Sequence, residues 1–432
     1  MTLDYQNPVV RERIYRGKFG LERETLRVDA EGHLAQTRHP FGDDEHISRD
    51  FCENQVEIIT PPANSAGEAV DELAKLHMRA VNTLKTLKTG EEYLWPFSNP
   101  PRISGEEEIP VARFDGSQTP KMTYRQYLAH KYGKRKMLFC GIHCNYSFDE
   151  RLLEEGFAQS GFPDFQAYKN SIYLSLAQKL AEYGWLIVYL TAASSVSDPS
   201  LFDKGIHGSR YASARCGECG YWNDFVPVFD YGSMEAYTES IWRYIKEGAI
   251  VSPSELYYPI RLKPKGENRL DHLRDNGVNH IELRMLDVNP LTSVGIFEQD
   301  ISFIQLLIVY LMSLEDTVFN DTAQKIAVNN FKRAARYGDY STFVDVSGGV
   351  LSTGYYRKPI REAAADLLND IRVFFVSLNA PAEVFEVLGY QQNKLRDGRN
   401  RYAVKVRETF GEGFTEKGLA LAKKYAGEND SI

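Results

Sequence analysis

Cysteine is scarce in this chain: Cys52, Cys140, Cys144, Cys216 and Cys219 are the five in 432 residues. An odd number in a large chain does not read as a disulfide framework. Long hydrophobic runs are missing too. The most apolar stretch, residues 301–314, is interrupted by Gln305 and bounded by Asp300 and Glu315, so it reads as a buried helix rather than a membrane span. The opening Met1-Thr2-Leu3-Asp4-Tyr5 has neither a basic nor an apolar segment, and no secretory signal is visible. Excess positive charge is absent as well. The formal net charge of −8 argues against nucleic acid or an anionic membrane as partner. Neither GxxxxGK(S/T) nor a GxGxxG set between strand and helix occurs, which excludes the P-loop and Rossmann ways of holding a nucleotide. The default expectation is a cytoplasmic protein acting on small molecules.

What is present is an ordinary folding composition, 43% hydrophobic and 25% charged, with 12% aromatic residues. The length allows two or three domains, but no repeat, low-complexity tract or linker divides the chain. The most informative stretch is Gly20-Leu21-Glu22-Arg23-Glu24-Thr25-Leu26-Arg27-Val28. In a strand, Glu22 and Glu24 share a face with Leu26 and Val28. Two carboxylates on a face with buried residues are costly unless a cation sits beside them.

Other segments repeat the theme. Residues 31–48 read as a loop, and 56–60 as a strand carrying Glu57. Asp50 and Glu57 have opposite parity, so Asp50 is expected on the entering loop or beyond a bulge. Ser65 to Glu68 form a capping box that opens a helix ending at Gly90. Residues 93–120 are proline-rich and irregular, and read as a plain connection in preference to an active-site rim. Residues 137–148 alternate cleanly: Leu138, Cys140, Ile142, Cys144, Tyr146 and Phe148 on one face, Gly141, His143, Asn145 and Ser147 on the other. In 255–263, Tyr257, Arg261 and Lys263 share a face, with Pro259 implying an edge or an irregular ladder position. In 278–288, His280, Glu282 and Arg284 do so. Helices are expected over 164–194 and then near 296–315, 320–336, 359–378, 381–388 and 415–425. The lone Cys216-Gly217-Glu218-Cys219 has no second pair, and His207 fits no ligand pattern, so it does not read as zinc-binding. The fold class is α+β, one compact unit with helices backing an antiparallel sheet whose other face is open.

On that face five carboxylates, Glu22, Glu24, Asp50, Glu57 and Glu282, would accompany His143, Arg261 and Arg284. Each close carboxylate pair would cost about 4 kcal/mol at an effective dielectric near 20. An oxygen-rich set with one imidazole suits Mg2+, with Mn2+ as a substitute, better than zinc or copper. Such ions and arginines could cradle the phosphates of ATP without a glycine-rich loop.

The stretch 20–28, together with Asp50-Phe51 through Glu57-Ile58-Ile59-Thr60-Pro61, Trp95-Pro96, Gly141 to Ser147, Tyr257-Tyr258-Pro259-Ile260-Arg261 and Glu282 to Pro290, closely resembles the bacterial glutamate–cysteine ligase (γ-glutamylcysteine synthetase) family. The resemblance is ordered over residues 20 to about 300, with a weaker echo around 400–426. It implies a glutamine synthetase-like funnel: a curved, mostly antiparallel sheet backed by helices, with a helical C-terminal part. It implies a single catalytic domain over residues 1–432 with no fused ATP-grasp domain. The implied reaction is ATP-dependent ligation of the glutamate γ-carboxylate to the amine of cysteine through γ-glutamyl phosphate, the first step of glutathione synthesis. By the same resemblance Glu22, Glu24, Asp50, Glu57, His143 and Glu282 hold two or three Mg2+ ions. Arg284, with Arg261 beside it, meets the transferred phosphoryl group. Phe51, Tyr124, Leu128, Tyr221 and Tyr257 form the cysteine side-chain pocket, Arg215 meets its carboxylate, and Asn145 lies near glutamate. The Cys216/Cys219 pair departs from the family pattern next to Arg215. That departure leaves a γ-glutamyl ligase with another amine acceptor as the alternative.

Overall fold

The computed structural model describes residues 3–114, 116–202, 210–339, 341–348 and 354–427. Strand β1 (Gly17–Asp29) is the spine of the sheet. β2 (Ile47–Arg49) and β3 (Gln55–Ile59) lie on one side of it, and β5 (Gly141–Phe148), β7 (Val278–Asp287) and β6 (Ile260–Pro264) on the other; β4 (Glu92–Leu94) pairs with its end. Every ladder in this seven-stranded sheet is antiparallel. A separate hairpin joins β8 (Phe343–Ser347) and β9 (Tyr355–Pro359).

Alternation on β1 sorts its two faces. Glu22 and Glu24 line the open side, while Phe19, Leu21, Arg23, Thr25 and Arg27 are buried. The helix Ala66–Lys85 packs against β1 and β3. Its capping box is displaced by one residue: Ser65 Oγ accepts from Glu68 N, and Glu68 Oε2 accepts from Asn64 N at 2.8 Å. The helices Phe165–Tyr183 and Trp185–Thr191 pack behind β7. Glu298–Leu311, the apolar run of the sequence, is a helix enclosed by Ala66–Lys85, Phe165–Tyr183, Ile360–Ser377 and Ala382–Arg396. Among the described residues no helix is long and apolar enough to cross a membrane.

Four expectations need correction. The strand expected from 137 starts at Gly141, because Arg135–Leu138 forms a 3-10 turn. Leu138 and Cys140 are buried all the same, and Cys140 N donates to Ser98 O instead of to a strand. The strand expected over 255–263 starts at Ile260; Pro253–Glu255 turns the chain, and Pro259 has no N–H for a ladder. The loop at 31–48 conceals the start of β2, too short to show a period. The helix expected over 164–194 breaks at Gly184, where a Cβ would lie 2.4 Å from Leu180 O and 2.7 Å from the Phe331 ring.

Candidate active site

The strand registers set the polar side chains opposite one another. Glu22 pairs with His143, Glu24 with Glu57, Asn145 with Glu282, and Arg261 with Glu282. Asp50 immediately follows β2, and its N–H donates to Gln55 O at 3.0 Å. Its opposite parity is thereby resolved, since it comes from a different strand end. All six expected ligands line one cavity of about 650 Å³ with Arg261, Arg284, Phe51, Tyr124, Leu128, Tyr221 and Tyr257. Two expected site residues do not line it. Asn145 Nδ2 donates to Glu22 Oε1 at 2.8 Å, behind the carboxylate. Arg215 lines a small adjoining cavity with Tyr221, Tyr257 and Arg284.

Charge is divided unevenly across the site. At one end Arg284 Nη1 donates to Glu282 Oε1 at 3.1 Å, with Lys263 Nζ at 3.4 Å and Arg261 Nε 3.9 Å from the other oxygen. Burial pushes the Glu282 carboxyl up, but Arg284, Lys263, Arg261 and His143 outweigh it and hold it well below the usual range. At the other end Glu57 has, among the described residues, Ser48 Oγ as its one hydrogen-bond partner, at 3.2 Å, and its carboxyl is pushed well up by burial and by Asp50, Glu22 and Glu24. Burial also raises Glu24, against the pull of His143. Glu22 is half-buried, and against that desolvation the hydrogen bond to His143 Nδ1 at 3.2 Å brings its carboxyl down.

This donor set fits a hard divalent cation. Glu22, His143 and Glu282 each offer one ligand atom, all within 4.8 Å of one another. Among the described residues Glu282 Oε2 is buried with no hydrogen-bond partner, and Glu24 and Glu57 face each other across the β1–β3 ladder. Carboxylates, one imidazole and no thiolate in the set suit such a cation better than zinc or copper.

The sequence model of the glutamate–cysteine ligase family matches residues 5–247 and 224–334. The chain belongs to that family. It is 32% identical over 454 residues to the glutathione biosynthesis bifunctional protein GshAB of Listeria monocytogenes serotype 4b, covering 99% of this chain and 57% of the relative. It is 37% identical over 318 residues to GshAB of Enterococcus faecalis, covering 71% of this chain and 41% of that protein. The match thus spans about half the length of these bifunctional relatives, 57% of one and 41% of the other. Its fold matches a bifunctional glutathione synthetase from Pasteurella multocida with a TM-score of 0.83 at 23% identity, over 97% of this chain and 53% of that one. It matches the glutamate–cysteine ligase of Francisella tularensis, solved in complex with AMP, with the same TM-score and identity, over 96% and 89%. These solved structures support the funnel-like α+β fold expected from the ligase resemblance.

Within this ligase-family fold some lining residues had escaped the sequence reading. Lys263 shares its parity with Tyr257 and Arg261, a signal that was present but not carried into the site. The segment read as a connection supplies Phe114 and Gln118 to the cavity wall. Phe114 is surrounded by cations: Arg49 at 4.5 Å, Arg125 at 4.7 Å and Lys121 at 5.6 Å from its ring centre. The rim alternative for 93–120 covered this stretch, but no periodic pattern singles out one aromatic in irregular backbone, so Phe114 itself was not picked out. Cys216 Sγ donates to Met285 O at 3.3 Å and Cys219 Sγ to Ala214 O at 3.7 Å. Burial pushes each thiol up to about 11. His207 lies outside the described residues.

Proposed function

We propose that this chain joins the γ-carboxylate of glutamate to the amine of cysteine at the expense of ATP, giving γ-glutamylcysteine, ADP and phosphate, the first step of glutathione synthesis. The observation that carries the reading is the convergence of five carboxylates and one imidazole from five strand segments, with Arg284, Arg261 and Lys263 at one end. Family membership gives that geometry its chemistry.

Glu22, Glu24, Asp50, Glu57, His143 and Glu282 would hold two or three Mg2+ ions, or Mn2+ in their place. When bound, such ions neutralise phosphate oxygens and polarise the transferring phosphoryl group. Arg284, positioned by Glu282 and flanked by Arg261, stabilises negative charge on that group as it moves to the glutamate γ-carboxylate. The amine of cysteine then attacks the acyl phosphate carbon, the C–O bond to phosphate breaks, and the amine loses a proton. Phe51, Tyr124, Leu128, Tyr221 and Tyr257 form an aromatic-rich wall for the acceptor side chain, Arg215 its carboxylate contact, and Asn145 orients Glu22 beside glutamate. A cytoplasmic location and one catalytic domain go with this reading.

The test is phosphate release with glutamate, ATP, Mg2+ and a panel of amines, with product identified by mass. Cysteine should be the preferred acceptor. Turnover with another amine and none with cysteine would move the chain to a different γ-glutamyl ligase. ADP formation without an amide product would overturn the ligase reading.

A further inference from the structure

At the end of β7, three residues beyond Arg284 and paired with Gly141 across the β5–β7 ladder, stands a carboxylate with no role in that site. Asp287 is 2% exposed and faces away from the cavity. Its hydrogen-bond donors come from two loops. Oδ2 accepts from Ala193 N at 2.9 Å and Ser194 Oγ at 2.8 Å, and Oδ1 accepts from Ser213 Oγ at 2.9 Å.

Both hydroxyls pass the link on. Ser194 Oγ accepts from Ala214 N at 3.0 Å, and Ser213 Oγ accepts from Cys216 N at 3.2 Å. These two amides flank Arg215 in the chain. The turn closes on itself behind it: Tyr221 N donates to Arg215 O at 2.9 Å, and a Cβ on Gly220 would lie 1.9 Å from that same oxygen. The guanidinium then lies across the sheet. Its Nη1 donates to Arg284 O, and its Nη2 stands 3.4 Å from His143 Nε2. It lies flat against Gly141, where a Cβ would meet its Cζ at 2.3 Å.

We infer that Asp287 is a positioning residue that fixes Arg215, and with it the acceptor subsite, to the same strand that carries Glu282 and Arg284. Resting on the ligase reading above, the inference adds a geometric coupling between the two halves of the reaction. A carboxylate accepts from all three donors at once. An amide in its place loses one acceptor, which frees either Ser213 or the Ala193–Ser194 corner while leaving the packing nearly unchanged. The acceptor amine must lie within a few tenths of an ångström of its line of attack, so loosening of Arg215 should appear in acceptor binding first.

The experiment compares wild type, Asp287→Asn and Ser213→Ala for KM of cysteine, glutamate and ATP and for kcat, with thermal midpoints recorded alongside. Asp287→Asn should raise the KM for cysteine about tenfold, roughly the loss of one good hydrogen bond to a charged group, while the other two KM values stay within about twofold. Ser213→Ala should move it in the same direction, and the double variant should be less than additive because both cut one link. Equal rises in all three KM values, or a loss confined to kcat, would overturn the assignment. If Asp287→Asn does not fold, Ser213→Ala alone decides it by the same criterion. A wild-type protein that makes no γ-glutamylcysteine would instead sink the ligase reading, a result distinct from an unaltered cysteine KM in the variants.

Discussion

Glu24 and Glu57 stand directly opposite each other across the β1–β3 ladder, and among the described residues neither is hydrogen-bonded to a Lys or Arg, although His143 Nε2 lies 3.5 Å from Glu24 Oε1. Glu24 Oε2 accepts from Gly141 N at 2.7 Å, and Glu57 accepts from the Ser48 hydroxyl. Like charges facing each other across a sheet are destabilising, so function is held here at the expense of stability.

Glu57→Gln should therefore stabilise the metal-free protein by about 1 kcal/mol, roughly 1 °C in thermal midpoint, while abolishing most turnover. The pH dependence has a definite sign. The raised Glu57 carboxyl holds its proton in the folded state above 4.5, where the unfolded chain has released it, so stability falls as pH rises beyond that value. The gap between variant and wild type should widen from pH 5 to 8 in EDTA and close or reverse with Mg2+. A gap independent of both pH and Mg2+ would contradict it.

Arg284→Ala should lower kcat by about 10²–10³-fold and change the KM for ATP by much less, because the guanidinium acts mainly on the charge that develops in transfer. Steady-state kinetics at saturating Mg2+ separates the two. Equal effects on both constants would reduce Arg284 to a nucleotide anchor.

Lys263 competes with any cation for Glu282, its ammonium standing 3.4 Å from Oε1. Lys263→Met should tighten the apparent Mg2+ requirement about tenfold, a shift of about 1.4 kcal/mol, and at the same time slow turnover. A Mg2+ titration of activity reads both. Weaker Mg2+ dependence coupled to faster turnover is the opposite outcome and would show that Lys263 does not oppose the cation.

The legible part of this protein was its alternation. Glu22 and Glu24 on β1, His143 on β5 and Glu282 with Arg284 on β7 were all placed on one open face by period-two patterning, and the structure brings them to one cavity. Patterning alone could not supply adjacency. The register that sets Glu24 against Glu57 depends on the β2–β3 hairpin and on contacts far apart in sequence. It was equally blind to irregular backbone. Phe114 reaches the cavity from a segment with no period, and Arg215 is turned toward β5 and β7 by a loop whose shape comes from Asp287 and Gly220 rather than from local propensity.

The opposite face of β1 carries a charge problem of its own. Arg23, 1% exposed, donates from Nη1 to Ser293 O at 2.7 Å and to His77 Nδ1 at 3.2 Å, and burial brings the guanidinium down to about 10. His77 must stay neutral to accept that bond, and burial together with Arg23 pushes its imidazole down to about 3. The unfolded chain, by contrast, takes up this proton below 6.5. Between 6.5 and 3 the unfolded state thus binds the extra proton, and stability falls as pH falls. From pH 7 to pH 5 this one residue should remove about 2 kcal/mol. His77→Gln keeps an acceptor for Arg23 and has nothing to titrate. Urea unfolding of both proteins at pH 5 and pH 7 should show a drop in wild type that is about 2 kcal/mol larger than in the variant. Equal drops would mean that His77 is protonated in the folded protein and that the Arg23 contact is made by some other acceptor.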